Sequence, residues 1–365
     1  MKILIATGIY PPTIGGPATY SKSIYEALNV KGHDARVAVY TDFSKKFPKG
    51  ISHIAYFFHV LRLSRGVDIV YAQDPVSVGF PALCVARVMR KKFIVRIAGD
   101  YAWEQGVGRF GVKELLDDFL RVRYGFRVEW LRQSQRFVAS SADCIIVPSE
   151  YLKQVVLQWG LKNVRIEVIF SVVQVELNIS KIEARKKLGF HDEVLLVSAG
   201  RLVSWKGFEM LIKLMPKLLS AKLIILGDGP EKEALEALRD RLKLAHSVLL
   251  LGAVSKEVAA CYLAAADAFL LNTGYEGFSH QLLEAMAVGT PVVTTNAGGN
   301  KELVENNINA LVARYNNISE WEKQVKKILN DHALAEKITQ EASRRVSVHT
   351  LDHMVKKLIT VFESL

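Results

Sequence analysis

The feature that most constrains the fold is a regular alternation of short apolar runs with segments of helical period. The first half of the chain contains "KILIAT", "ARVAVY", "VDIVYAQ", "KFIVRIAG", "DCIIVPS" and "RIEVIF". The second half contains "EVLLVSAG", "AKLIILG", "SVLLLG", "DAFLLN" and "PVVTT". Continuous apolar strands that alternate with helices predict parallel sheets covered by helices on both faces. The two series therefore predict an α/β protein with two doubly wound domains.

The break between the two series lies near residues 170–190, in the stretch "SVVQVELNISKIEARKKLG". This stretch reads as a linker followed by the first helix of the second domain. A length of 365 residues is sufficient for two domains with well-packed cores. Ligands of doubly wound sheets bind beyond the carboxyl ends of the strands. If the two domains face each other, we expect the site in the cleft between them.

The positive charge of the chain is concentrated in its first half. Residues 1–180 hold 24 Lys and Arg against 15 Asp and Glu, a net charge of 24 − 15 = +9. Residues 181–365 hold 24 against 22, a net charge of +2. This asymmetry predicts an anionic partner for the first half, and anionic lipid, a phosphorylated substrate and nucleic acid all remain open. The alternative is solvated charge without a special partner.

Neither the apolar segments nor the cysteines point to an exported or membrane-spanning protein. The longest uncharged stretches run for about a dozen residues, whereas a membrane-spanning helix needs roughly 20. The N-terminal "MKILIATGIYPP" reads as a buried strand and a loop, not as a signal peptide. Cys84, Cys144 and Cys261 are odd in number and scattered, as expected for reduced thiols. We therefore predict a cytoplasmic location.

The stretch "GRLVSWKGF" is the clearest candidate for anion binding. It follows the strand "EVLLVSA" and precedes a helical pattern, so that Arg201 and Lys206 lie between a strand end and a helix N-terminus. Cations beside the positive end of a helix suit a phosphate or diphosphate group. The alternative is that both are solvated loop charges.

Two segments of the first half carry weaker signals. Gly15 and Gly16 in "YPPTIGGPATYS" allow a ligand to approach the backbone at a helix N-terminus, although a flexible turn explains them equally well. The segment does not match G-x-G-x-x-G, so it does not imply a dinucleotide-binding fold. Asp100 in "RIAGDYAWEQG" follows a strand and is a candidate to contact a sugar hydroxyl or the acceptor. The alternative for Asp100 is a helix cap or a turn.

The stretch "YEGFSHQLLEA" holds two glutamates, Glu276 and Glu284, eight positions apart. On one helix they would be separated by about 12 Å of rise and about 80° of arc. The paired carboxylates of a glycosidase lie roughly 5–9.5 Å apart, so this pairing is excluded. Ser279 is a predicted N-cap, which places Glu276 ahead of the helix and Glu284 inside it. Backbone N–H groups of Gly277, Phe278 and Ser279 would then hold a phosphate between two carboxylates that accept hydrogen bonds from hydroxyls.

These motifs together resemble the retaining glycosyltransferases of family 4. The E-x7-E pair follows "GRLVSWKG" by about seventy residues, and the N-terminal "GG" loop and "LGDGPE" are also present. The resemblance covers nearly the whole chain. It implies the two-domain GT-B fold, in which the last helix crosses back to the first domain. The predicted domains are then residues 1–172 with about 348–365, which bind the acceptor, and residues 173–347, which bind the donor.

The resemblance also implies roles for the donor-binding residues. Glu284 would bind the ribose of a UDP- or GDP-linked sugar, and Glu276 would contact and position the hexose. Arg201 and Lys206 would neutralise the departing diphosphate. Val254 and the preceding Ala253 would read the base through their backbone.

The remaining implications concern the mechanism and the first domain. Gly15 and Gly16 would lie against the phosphates or the sugar. Family members resemble one another in needing no metal, and they transfer the sugar with retention of configuration. The acceptor would attack from the face that the leaving group departs from, and the leaving phosphate would take its proton. Many relatives have a histidine where this chain has Gly99 and Asp100, so Asp100 would replace it or the sugar would differ.

The segment "FLRVRYGFRVEWLRQSQRF", residues 119–137, mixes five arginines with aromatic residues. This composition suits either a helix at an anionic membrane interface or a surface helix packed on the core. We predict an acceptor that is a cell-envelope or lipid-linked glycan, with peripheral contact at the inner face of the membrane. Two alternatives to glycosyl transfer remain: a nucleotide-sugar epimerase on the same fold, and a non-catalytic basic protein that binds nucleic acid.

Overall fold

The computed structural model describes residues 1–13, 15–48, 50–172 and 179–365. The chain divides into two compact units, residues 1–171 with 351–365 and residues 172–350. Each unit is built on one six-stranded sheet. Within the described ranges, every helix is too short or too polar to cross a lipid bilayer.

The first unit is a parallel sheet flanked by helices. Its strands are β1 (Lys2–Thr7), β2 (Asp34–Val39), β3 (Ile69–Ala72), β4 (Lys92–Arg96), β5 (Cys144–Val147) and β6 (Ile166–Val168). They lie in the order β2-β1-β3-β4-β5-β6, and every ladder is parallel. Its helices are α1 (Gly16–Val30), α2 (Thr41–Ser44), α3 (Ile51–Leu63), α4 (Gly79–Val88), α5 (Tyr101–Arg109), α6 (Leu116–Phe119), α7 (Phe126–Ser140), α8 (Glu150–Gln158) and the C-terminal α16 (Leu351–Glu363).

The second unit repeats this architecture. Its strands are β7 (Val194–Ala199), β8 (Ala221–Leu226), β9 (Val248–Gly252), β10 (Ala268–Leu271), β11 (Val292–Thr294) and β12 (Leu311–Val312), in the order β12-β11-β10-β7-β8-β9. Its α-helices are α9 (Lys181–Leu188), α10 (Phe208–Leu214), α11 (Lys232–Arg241), α12 (Lys256–Ala265), α13 (His280–Ala287), α14 (Ile318–Asn330) and α15 (His332–Val346). Short 3-10 helices span Ser204–Lys206, Met215–Lys217 and Gly298–Glu302. The predicted pair of doubly wound sheets is confirmed.

The central strands are apolar because both faces of each sheet are covered. All four residues of β3, β5 and β10 are buried. Because every strand of a sheet runs in the same direction, all its carboxyl ends lie along one edge. The strand order reverses between β1 and β3 in the first unit and between β7 and β10 in the second. Doubly wound sheets bind ligands at such reversals.

The C-terminal helix α16 is part of the first unit. It packs against α1, and Lys31 donates a hydrogen bond of 2.7 Å to Asp352. Its buried face contains Met354, Leu358 and Phe362, at helical spacing. The Phe362 ring lies edge-on to Tyr71, with ring centroids 5.5 Å apart. The last fifteen residues thus complete the core of the unit that contains the first residues of the chain.

We predict that Phe362→Ala destabilises the first unit by about 3–5 kcal/mol, because truncating a buried phenylalanine leaves a cavity beside Tyr71. Urea unfolding of the full chain would measure the change. Lys357→Ala on the exposed side of the same helix is the matched control and should leave the unfolding midpoint unchanged. Equal midpoints for Phe362→Ala and the wild-type chain would contradict the packing role of α16.

Candidate functional site

A buried ion pair lies where the strand order of the second unit reverses. Lys206 ends the 3-10 helix that follows β7, and Glu276 lies in the loop that follows β10. The Nζ atom of Lys206 donates a hydrogen bond to Oε1 of Glu276. The two side chains are only 10 % and 11 % exposed. Removing either partner would leave the other charge uncompensated in a poorly solvated position.

The loop that carries Glu276 is fastened to both neighbouring loops. The N–H of Gly274 donates to the Trp205 carbonyl at 2.8 Å, and the N–H of Gly299 donates to the Glu276 carbonyl at 2.8 Å. Gly298 has φ 56°, and a Cβ there would lie 2.2 Å from the Glu276 carbonyl oxygen. Only glycine permits this close approach. The position of Glu276 is therefore fixed by its backbone as well as by Lys206.

Arg201 differs from Lys206 although both belong to one motif. It follows the end of β7 by two residues and is exposed. Within the described part of the chain, its guanidinium forms no ion pair or hydrogen bond. The motif thus supplies one cation that is held by a carboxylate and one whose donors are directed to solvent.

The predicted N-cap at Ser279 is confirmed. Ser279 precedes α13, and its hydroxyl oxygen accepts a hydrogen bond of 3.3 Å from the N–H of Leu282. Glu276 therefore lies ahead of the helix, and Glu284 lies more than one turn inside it. Gly277 and Phe278 form the link between Glu276 and the cap. The residues predicted to surround a phosphate are consecutive in this turn.

Glu284 is a half-buried carboxylate that the surrounding protein does not neutralise. Among the described residues, its side chain has no hydrogen-bond or ion-pair partner. Burial raises the pKa of Glu284 to about 7, and the charge of Lys256 only partly opposes this shift. Neighbouring hydrogen-bond donors, such as a pair of ligand hydroxyls, would stabilise the ionised form.

Val254 lies beyond the end of β9, at the same edge of the sheet. It is half-buried and precedes Ser255, the N-cap of α12, whose hydroxyl accepts from the N–H of Val258 at 3.3 Å. Helix α12 packs against α13, and Lys256 is close enough to affect the pKa of Glu284. The structure therefore brings the segment predicted to read the base close to the glutamate predicted to bind ribose.

The predicted glycines of the first unit lie at the beginning of α1. Gly15 is the residue before the helix, and Gly16 is its first residue. A Cβ on Gly15 would lie 3.0 Å from the Cδ1 atom of Ile9, tighter than ordinary packing. The adjoining Ile14 lies outside the described residues. These glycines keep the backbone compact at the carboxyl end of β1, next to a helix N-terminus.

The geometry of Asp100 does not favour the catalytic role predicted for it. The side chain is fully buried. It accepts hydrogen bonds from the N–H of Trp103 at 2.9 Å, from Nε2 of Gln135 at 3.1 Å and from Nε1 of Trp159 at 3.1 Å. Burial raises its pKa, and these three donors oppose the shift. Asp100 caps α5 and ties α7 and the end of α8 to it, which is the alternative that the sequence left open.

The sequence motifs did not point to two polar residues that lie at the carboxyl edge of the first sheet. Arg96 is the last residue of β4, and Gln73 directly follows β3. Both are buried. The signal that could have revealed Arg96 is a single cation inside the apolar strand "KFIVRIAG". Gln73 carries no comparable signal, because a glutamine after a strand is usually solvated.

Within the described residues, no three His, Cys, Asp or Glu side chains are grouped so that they could hold a metal ion. Metal independence of the reaction stays a prediction, because a metal can also be carried by the substrate.

Two family models match the chain side by side. Residues 14–177 match the family described as Glycosyltransferase Family 4, and residues 180–345 match Glycosyl transferases group 1. Among curated proteins, the chain is 26 % identical over 399 residues to the glycosyltransferase MJ1607 of Methanocaldococcus jannaschii, covering 100 % of this chain and 98 % of that protein. It is 24 % identical over 328 residues to the alpha-monoglucosyldiacylglycerol synthase of Streptococcus pneumoniae, covering 80 % of this chain and 70 % of that protein.

A solved structure supports the fold independently. HepE of Anabaena, in a complex with UDP-glucose, superimposes with a TM-score of 0.80 at 19 % identity and covers 100 % of both chains. At this level of identity the similarity establishes the fold alone. The fold, the order of motifs and the two family models agree over nearly the whole chain. The chain therefore belongs to the group 1 glycosyltransferases and has the GT-B fold.

Proposed function

We propose that this glycosyltransferase moves a hexosyl group from a UDP- or GDP-linked sugar to a cell-envelope or lipid-linked glycan, with retention of configuration. The observation that carries the proposal is the buried Lys206–Glu276 pair at the reversal point of the second sheet. It is joined at the same edge by the exposed Arg201 and by Glu284, whose side chain has no hydrogen-bond or ion-pair partner among the described residues. Two cations and two carboxylates match a ligand with a diphosphate between two hydroxyl-bearing rings.

The carboxylates would recognise the two ends of the donor. Glu284 would accept hydrogen bonds from the ribose hydroxyls, which would stabilise its ionised form. The backbone at Val254 would contact the base, and Gly277, Phe278 and Ser279 would lie along the phosphates. The complex of HepE with UDP-glucose supports a nucleotide-sugar donor by similarity of fold.

The cations would act on the leaving group. As the bond between the anomeric carbon and the phosphate oxygen breaks, negative charge grows on the diphosphate. Arg201 and Lys206 would stabilise this charge more strongly in the transition state than in the ground state, which accelerates the reaction. Glu276 holds Lys206 in place and would contact the hexose hydroxyls.

Retention would follow from attack on the face that the diphosphate leaves. The acceptor oxygen forms its bond to the anomeric carbon while the acceptor proton passes to the departing phosphate oxygen. This route requires no protein nucleophile and no separate general base. Asp100 has no part in it, because protein donors already occupy its carboxylate.

We predict that Lys206→Ala and Glu276→Ala each lower kcat by at least about 100-fold, the scale of losing one preorganised group that stabilises transition-state charge. Turnover of nucleotide-sugars would be measured by release of the nucleoside diphosphate. Lys213→Ala is the matched control, because this lysine is exposed and its ion pair in the described part of the chain is with Glu209 on its own helix. Circular dichroism would check that each variant is folded.

Normal turnover by either folded variant would refute this assignment of the site. Product analysis without any acceptor separates transfer from epimerisation. An epimerase would convert the nucleotide-sugar to a second nucleotide-sugar, whereas a transferase would leave it intact or hydrolyse it slowly.

The raised pKa of Glu284 predicts a pH-dependent affinity for the donor. Only the ionised carboxylate accepts two hydroxyl hydrogen bonds, so the affinity for the donor is highest well above pH 7, is about half of that value near pH 7 and falls further at lower pH. Between pH 8 and pH 6 the ionised fraction falls about tenfold, and the Kd for the nucleotide should rise by a similar factor. Isothermal titration calorimetry would measure it.

Glu284→Gln is the control for this pH effect, because it keeps the shape of the side chain and removes its titration. The phosphate groups of the ligand also titrate near pH 6, and they do so equally with both proteins. The same pH dependence in the wild type and in Glu284→Gln would show that Glu284 does not contact the ligand.

The proposed membrane contact is supported by the exposed side of α7. Phe126, Trp130 and Phe137 are 83 %, 57 % and 55 % exposed and lie within about 40° of arc on the helix. The opposite side packs on the unit through Val128 and Val138. The buried side of α7 fits a surface helix packed on the core. Its exposed aromatic side fits the proposed helix at a membrane interface. Arg121, Arg123, Arg127 and Arg136 are exposed around the aromatic stripe.

The neighbouring helices extend this exposed surface. Helix α3 packs on α4, and α4 packs on α7, where the rings of Phe80 and Phe137 are 6.3 Å apart. Helix α3 exposes Ile51, Ile54 and Phe58. Neither α3 nor α4 contains an acidic residue, and residues 45–92 hold nine Lys and Arg against two Asp, a net charge of +7. We name the exposed apolar and basic side of these three helices the α3–α4–α7 face.

The occupant that best matches the α3–α4–α7 face is an anionic lipid bilayer. Aromatic and aliphatic side chains enter the interface while arginines meet lipid phosphates. A relative bears the name of a glucosyldiacylglycerol synthase, which is consistent with a lipid-linked acceptor for this chain.

We predict that the protein co-sediments with vesicles containing phosphatidylglycerol and not with vesicles of phosphatidylcholine alone, more strongly at low salt than at physiological salt. The triple variant Phe126→Ser, Trp130→Ser and Phe137→Ser should lose most of this binding. Val30→Ser with Leu157→Ser, two exposed apolar residues on other helices of the unit, is the matched control. Equal binding to both kinds of vesicle would contradict the proposal.

A further inference from the structure

The first unit contains a buried cation without an acidic partner. Arg96 ends β4 and is 4 % exposed. Its guanidinium carbon lies 3.8 Å from the centroid of the Tyr20 ring. In the described ranges it forms no ion pair and donates no hydrogen bond to a carboxylate or carbonyl. A stacked aromatic ring offsets only part of the cost of removing a guanidinium from water.

The neighbouring strand places a second unsatisfied group beside Arg96. The β3–β4 ladder ends with the pair Ala72 and Val95, and Gln73 and Arg96 are the residues that follow them in the sequence. The N–H of Gln73 donates to the Ala6 carbonyl at 2.9 Å, which keeps its backbone beside β1 although Gln73 itself lies in a bend after β3. Gln73 is 6 % exposed, and among the described residues its side-chain amide has no well-formed hydrogen-bond partner, although it lies close enough to the Tyr71 hydroxyl to oppose the rise that burial causes in the pKa of Tyr71. A buried amide without hydrogen bonds lowers the stability of the folded protein.

The ionisable groups around this pair do not neutralise Arg96. Tyr71 lies on the same face and exchanges a hydrogen bond of 2.9 Å with the hydroxyl of Tyr20. Burial raises the pKa of Tyr71 well above its usual value, so it carries no charge at neutral pH. Asp74 directs its Oδ1 atom to the N–H groups of the following turn, those of Val76, Ser77 and Val78. The Oδ1 atom of Asp74 thus accepts its hydrogen bonds from backbone N–H groups and not from Arg96.

The position of the pair is one where ligands of this fold class bind. Gln73 follows β3, and the strand order reverses between β3 and β1. Tyr20 belongs to α1, the helix that begins at the Gly15–Gly16 turn. A guanidinium and an amide at this edge supply N–H donors of the kind that an oxyanion accepts.

We propose that Arg96 and Gln73 bind an oxyanion, a phosphate or carboxylate group carried by the acceptor. Arg96 would donate to two oxygen atoms of the group through its fork of N–H donors. The Gln73 amide would donate to a further lone pair of the same oxyanion. The oxyanion would then supply hydrogen-bond acceptors to the N–H groups of these two buried side chains. This inference rests on the proposed function, because it names the chemistry of the acceptor that the first unit would take.

The test separates ligand binding from packing through Gln73→Met, which removes the amide and keeps its length. A purely structural glutamine, buried and unpaired, predicts an equal or higher Tm with no change in anion binding. The proposal predicts the same Tm behaviour together with at least a tenfold weaker Kd for inorganic phosphate or acetate. Arg96→Lys keeps the charge, loses the fork and should weaken binding similarly.

Binding is measured by calorimetry on the full chain, with phosphate and acetate as separate probes. All proteins carry Arg201→Ala and Lys206→Ala, so that the anion site of the second unit does not contribute. Arg62→Lys, an exposed cation of the first unit, is the matched control and should leave the Kd unchanged. The stronger of the two probes identifies whether the site prefers phosphate or carboxylate.

Equal phosphate and acetate affinities in Gln73→Met, Arg96→Lys and their parent, or binding of neither anion to the parent, would overturn the proposal. These results are independent of nucleotide-sugar turnover. If turnover is absent but the anion binds through Arg96 and Gln73, the site stands and the proposed function fails. If turnover depends on Lys206 but the anion does not bind, the function stands and this site fails.

Discussion

The rest of the structure depends on the parallel hydrogen-bonded ladders of the two sheets. Parallel strands need a crossover after every strand, so all carboxyl ends of one sheet lie along one edge. Lys206 and Glu276 are seventy positions apart in the sequence and meet because β7 and β10 are neighbours in the sheet. In the first unit the same geometry brings Gln73 and Arg96, which follow the paired residues Ala72 and Val95, to one edge of the sheet.

The charged groups at these edges differ in how far the protein itself satisfies them. Asp100 accepts three hydrogen bonds from its own unit, and Lys206 and Glu276 neutralise each other. Glu284 and Arg96 have no such partners within the described chain. Burying a charged group without a partner is costly. A buried charged side chain that lacks a protein partner therefore indicates a bound ligand more strongly than one that is already paired. The three donors around Asp100 favour its role as a helix cap, so that its catalytic role stays a prediction, and the contrast adds Arg96 to the candidates for acceptor binding.

Helix α7 shows how one sequence pattern can be compatible with two interpretations. Its sequence is compatible with packing on a core and with an interface, and composition alone cannot separate the two. In the structure, Val128 and Val138 are buried while Phe126 and Trp130 are exposed. Exposure of the aromatic stripe depends on the direction from which α4 and α5 pack on the helix. That direction is a property of the assembled unit.

The sequence by itself determined the elements and the motifs: apolar strands alternating with helices, the N-cap at Ser279, and the placement of Glu276 before the helix and Glu284 within it. These features depend on period and on local backbone chemistry, which neighbouring residues specify. Only the tertiary structure decided which charged groups have partners. The pairing of Lys206 with Glu276, the three donors around Asp100, the raised pKa of Glu284 and the burial of Arg96 against Tyr20 depend on contacts between segments distant in sequence. Strand order and burial create those contacts, and no local pattern encodes them.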